Sequence, residues 1–151
     1  MPTKPRTDEN VFTEAERAAV AATARERRAA SDDPAQERAD GLAMLRESLA
    51  KMPPDDRAMG ERIHELVTAA VPELVPGTYY GMPAYKTPGK NGKTIGFFKP
   101  KSKFKVRYST FGFQPDATLD DGDMWATEFA VIRLTPAVEA KLVDLVKRAA
   151  G

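Results

Sequence analysis

The sequence predicts an α+β domain, an antiparallel sheet of about four to five strands with helices packed on one face, preceded by a helical extension. Three observations predict it. Residues 13 to 71 carry helix caps and, from Leu42 onward, apolar residues at steps of three and four. The stretch from Thr78 to Phe113 gathers all four Tyr and five of the seven Phe between turns rich in Gly, Pro and Asn. An acidic turn, one more apolar strand and an amphipathic helix then close the chain. Strands grouped together between helices, rather than alternating with them, favour an antiparallel sheet.

A chain of 151 residues suits one domain, which at this size buries roughly 70% of its unfolded surface. We divide it into a charged helical extension over 1–31 and a single α+β domain over 32–151. Cys is absent, which excludes disulfides, thiolate nucleophiles and zinc sites that need sulfur. No apolar run reaches membrane-spanning length, and Met1-Pro2-Thr3-Lys4-Pro5-Arg6 leads into charge, so the expectation is a cytoplasmic protein without membrane partners. Net charge is +1, unevenly spread: residues 86–110 hold eight Lys or Arg and no acid.

Thr13-Glu14-Ala15-Glu16 has the pattern of a capping box. The helix it opens, to about Arg28, is nearly all Ala, Arg and Glu, with Val20 its only large aliphatic. It has almost nothing to bury and reads as a loosely docked extension or a partner-binding arm. Asp33-Pro34 restarts a helix as N-cap and first helical residue, with Leu42, Leu45 and Leu49 as its apolar face. After Pro53-Pro54, Asp55-Asp56 suit the N-terminus of a third helix, whose buried stripe is Met59, Ile63, Leu66, Val67, Ala70 and Val71. His64, the sole His, flanks that stripe and reads as a helix-flank residue rather than a metal ligand.

Thr78 to Lys86 is rich in strand formers, and Pro83 places it at an edge or a bulge. A turn over Thr87–Gly92 leads to a strand over Lys93–Lys99. Lys103 to Tyr108 alternates, predicting a third strand with Phe104, Val106 and Tyr108 inward and Lys103, Lys105 and Arg107 on a wet, basic face. Trp125 to Leu134 reads as a fourth, central strand. Thr135-Pro136 caps a last helix carrying Val138, Leu142, Leu145 and Val146. We expect Phe104, Val106, Tyr108, Phe129 and Val131 to share one core with Ile63, Val67, Leu142 and Val146.

Three residue sets bear on function. Asp116, Asp120, Asp121, Asp123 and Glu128 offer hard oxygen ligands to a metal ion, though Asp-Asp-Gly-Asp is also turn composition. Lys103, Lys105 and Arg107 suit a polyanion or nucleic acid; as a solvated face they also protect a sheet from aggregation. Tyr79, Tyr80, Met82, Tyr85 and Trp125 suit a small-molecule pocket beside the Pro83 bulge, or core filling. No nucleophile elbow and no phosphate-binding Gly loop is present, so no catalytic or cofactor-binding residue is assigned.

Gly81-Met82-Pro83-Ala84-Tyr85, Lys103 through Phe113, and Leu119-Asp120-Asp121-Gly122-Asp123-Met124-Trp125 stand in an order and spacing that resembles the YdhG-like family, a bacterial group of unknown function. The resemblance runs from about Pro53 to the C-terminus. It departs from the family pattern at Tyr79-Tyr80, where Trp is usual nearby, and at Ala126, where Pro is usual. It implies a small α+β domain and, through a frataxin-like branch described as an intracellular iron chaperone, an iron-handling or small-ligand-binding protein. The alternative is polyanion binding through the basic face.

Overall fold

The structure, a computed structural model, describes residues 13–29 and 33–151. Its elements run α1 (Glu14–Ala29), α2 (Pro34–Ala50), α3 (Pro54–Ala70), β1 (Val75–Tyr79), β2 (Met82–Lys86), β3 (Thr94–Lys99), α4 (Lys101–Phe104), β4 (Ser109–Phe113), β5 (Glu128–Val131) and α5 (Pro136–Ala149). The five strands form one antiparallel meander in chain order. It is an α+β fold.

The helix starts follow from their caps. Asp33 accepts amide hydrogen bonds from Ala35 and Gln36, and Thr135 accepts one from Val138. The Thr13 hydroxyl accepts from the Glu16 amide at 3.1 Å. Each satisfies a donor that has no partner within the helix.

Antiparallel register sorts the strands' side chains. Tyr85, Phe98, Phe111 and Phe113 face the helices and meet Leu45 and Leu49 of α2, Ile63 and Val67 of α3, and Leu142 and Val146 of α5 in one core. Phe98, Leu45 and Ile63 have no exposed surface, and burying each contributes about 1.5–3 kcal/mol before entropy is charged. On the opposite face Met82, Ala84 and Phe97 form a smaller cluster under Tyr79. Two glycines permit this packing. A side chain at Gly96 would strike the Phe111 ring, and one at Gly112 the Phe97 ring, so each ring sits in the space a side chain would take.

Four expectations are corrected. The stretch Thr78–Lys86 is a hairpin, because the chain reverses at Tyr80-Gly81. These two residues have φ of 49° and 80°, the positive values that a type I′ turn requires. Lys103–Tyr108 forms no strand. Pro100 caps the short α4, and Lys105 ends it in the left-handed region, so the period-two pattern never reaches the sheet. Phe104 and Val106 are therefore 40% and 49% exposed rather than core, and Phe98 and Phe111 take their place. Lastly, β5 is a four-residue edge strand, not a central one.

Polar tethers join the layers. The buried Glu37 of α2 holds Lys86 Nζ at 2.9 Å and the Gly89 amide at 3.0 Å, fastening the β2–β3 turn to the helix. Arg38 donates to the carbonyls of Pro72, Glu73 and Leu74 just beyond α3. Arg62 and Glu139 form a two-pronged pair at 2.8 Å between α3 and α5.

Candidate functional site

A groove of about 870 Å³ lies between α1, α2, the β1–β2 turn and α4. Its origin is compositional. Ala15, Ala18, Ala19 and Ala22 recur at helical spacing on α1 and form one wall. Across from them stand Met44, Met52, Met82, Pro53 and Phe104. Alanine reaches only one carbon from the backbone, so α1 spans the gap without filling it. Interiors normally close to crystal-like density; here the facing walls do not interdigitate.

The wall is positioned by three contacts. The Glu26 carboxylate accepts the amides of Tyr80 and Gly81 at 3.2 and 3.1 Å, using the two donors exposed at the I′ turn. Arg25 pairs with Glu47 of α2 at 2.8 Å; the guanidinium holds the Glu47 carboxyl below the usual carboxylate range. Ser48 donates to the Gly81 carbonyl at 2.7 Å. Helix α1, the turn and α2 thus share one polar junction at the groove's edge.

The α4 side is different. The buried Asp56 of α3 accepts the Ser102 amide at 3.1 Å, and Ser109 accepts that of Lys101 at 3.0 Å, which fixes the short helix. Lys99 and Lys103 both lie over the Phe104 ring, with their ammonium groups 4.6 and 5.8 Å from its centroid. Lys103 also approaches Gly81: a methyl added there would come within 3.5 Å of its Nζ. Its stem is open to solvent on one side, yet burial against the wall lowers its proton affinity, with the charge of Lys51 acting the same way and Glu26 opposing. Among the described residues, none of Lys99, Lys101, Lys103, Lys105 and Arg107 joins an ion pair.

The five residues expected to line a pocket are divided. Tyr80 and Met82 border the groove. Tyr79 instead packs edge-on to Tyr80 and against Phe97. Tyr85 is buried in the main core, its hydroxyl 3.1 Å from His64 Nδ1 and its ring stacked on the imidazole. Trp125, in the loop before β5, does not reach the groove.

Lys103, Lys105 and Arg107 share no strand face; α4 and the loop after it point them separately, with Arg107 over Tyr108. Asp116, Asp120, Asp121, Asp123 and Glu128 are all exposed. Among the described residues no three His, Asp or Glu side chains are gathered so as to hold a metal ion. The acidic composition serves an open loop whose Gly122 takes a positive φ.

What sequence reasoning missed is the alanine stripe itself. The signal was present in the spacing of Ala15, Ala18, Ala19 and Ala22, but small residues announce no partner.

No helix of the described residues is long and apolar enough to cross a membrane. Comparison with known proteins finds no match to this chain among family models, curated proteins or solved structures.

Proposed function

We propose that this chain is a binding protein that holds a small, largely apolar molecule in the groove beneath α1. One observation carries the reading: the alanine wall of α1 stands over Met44, Met52, Met82 and Phe104 without filling the space between them. Concave, mainly apolar sites of roughly 300–1,000 Å³ with a few placed polar groups are the usual form of a small-molecule site. Methionine suits such a wall, since its unbranched thioether repacks around different shapes. Two of the three blocks that resemble the YdhG-like family border this groove, through Gly81 and Met82 in one and Lys103 and Phe104 in the other. The small-ligand side of that family expectation is the one we retain. The iron side came from the family's frataxin-like branch together with the acidic loop, and among the described residues that loop's carboxylates are not gathered.

A neutral solvatochromic dye such as Nile red tests the reading. Its emission should rise and shift to the blue with the wild-type chain, and Ala18→Leu combined with Ala22→Leu should abolish the change. An unchanged response in the filled variant, or none with wild type, sinks the proposal.

A further inference from the structure

The charges around the groove are not symmetrically committed. Its acids are occupied at the α1, α2 and α3 sides: Glu47 holds Arg25, Asp56 holds the Ser102 amide, and the adjoining Glu26 holds the two turn amides. Glu16, the remaining acid of the lining, sits in the exposed first turn of α1. At the α4 end the balance is reversed. Lys99 and Lys103 lean on the same Phe104 ring, and among the described residues neither has a carboxylate within ion-pair distance. Lys103 lines the groove, Lys99 stands over the same ring just outside that lining, and an anion beside Phe104 would be attracted by both charges. Lys103 is shielded on the side that faces the groove wall and open to solvent on the other, so a charge-assisted hydrogen bond formed on the groove side is only partly screened.

We infer that the groove selects an anionic amphiphile, a molecule with an apolar chain or ring body and a single carboxylate-like head. The body lies along the Ala and Met walls, and the head meets Lys103 and Lys99 beside Phe104. The inference rests on the groove reading above and adds the charge of the ligand to it. It also accounts for part of the basic stretch in the sequence. Lys99 and Lys103 lie on either side of Pro100, and the turn of α4 returns Lys103 to the same aromatic ring.

Calorimetric titration of the full chain with decanoate, decanol and decylamine, each below its micelle concentration at neutral pH, tests this. Decanoate should bind about tenfold more tightly than decanol, the equivalent of one charge-assisted contact, and decylamine no more tightly than decanol. Lys103→Met, checked for folding by circular dichroism, should bring the ratio of decanoate to decanol affinity down to about one, whatever change the altered wall makes to both. Equal affinities for decanoate and decanol, unmoved by Lys103→Met, would overturn the charge selectivity while leaving the groove reading standing. Absence of heat with all three would remove both. Tighter binding of a decathymidylate than of decanoate would overturn the inference in favour of a polyanion surface.

Discussion

Replacing Ala19 by Leu distinguishes an open groove from a packed interface more sharply than a deletion would. The side chain lines the groove from α1 and is half-buried. Leucine adds three carbons, worth about 2.4 kcal/mol at ~0.8 kcal/mol per CH₂ if wholly removed from water. The groove is open on one side, so roughly half of that is realised, less a few tenths for helix propensity. Net stabilisation of about 1 kcal/mol follows, which in a domain of this size raises Tm by roughly 2–4 °C. Urea melts give the free energy directly, provided the m-value does not change. The opposite sign would refute the reasoning. If α1 already packs tightly, extra carbons strain the contact and cost about 1–3 kcal/mol.

Other consequences follow from the same structure. Phe98→Ala should cost about 3–5 kcal/mol, because the ring is wholly buried, whereas Phe104→Ala, at the exposed rim, should cost less than about 1.5 kcal/mol; equal costs in denaturant melts would place Phe104 back in the core. Glu37→Ala should cost about 2–3 kcal/mol, since it removes the acceptor of the Gly89 amide and leaves the Lys86 ammonium with the Gly89 carbonyl in place of a carboxylate, and faster hydrogen exchange at Gly89 should accompany it. His64 has its proton affinity lowered from the ordinary 6.5, first by burial, then by Arg46, with Glu65 opposing. The unfolded chain therefore binds a proton there more readily. The stability this confers is complete above about pH 6.5 and is lost as pH falls toward the folded value. A His64→Gln variant should flatten that part of the stability–pH curve, and an unchanged slope would contradict it.

The helices were legible because their signals are local. Asp33-Pro34, Thr135-Pro136 and the Thr13 hydroxyl act where the caps were expected, and the stripes that include Val67 and Val146 enter the core. The errors fell where a tertiary tie outweighs a local pattern. Lys103-Phe104-Lys105-Val106 alternates like a strand, yet Asp56 and Ser109 seize the amides of Ser102 and Lys101 and wind the segment into a helical turn. Tyr80-Gly81 reverses the chain although Tyr is uncommon in the left-handed region; the Glu26 carboxylate, 54 residues before Tyr80, binds the turn's amides. The candidate site was half legible. Tyr80, Met82 and Lys103 were marked by residue type, whereas the α1 wall was read as having nothing to bury. That observation was right about the side chains. The structure places those same alanines over a space they leave open.

Methionine methyl resonances test the central claim most directly, since three of the six Met line the groove. With ¹³C-methyl-labelled Met and increasing decanoate, the signals of Met44, Met52 and Met82 should move together along one saturating curve. Those of Met59, packed against the main core, and Met124, in the exposed loop before β5, should stay in place. Stationary groove methyls, or a response confined to Met124, would contradict the account.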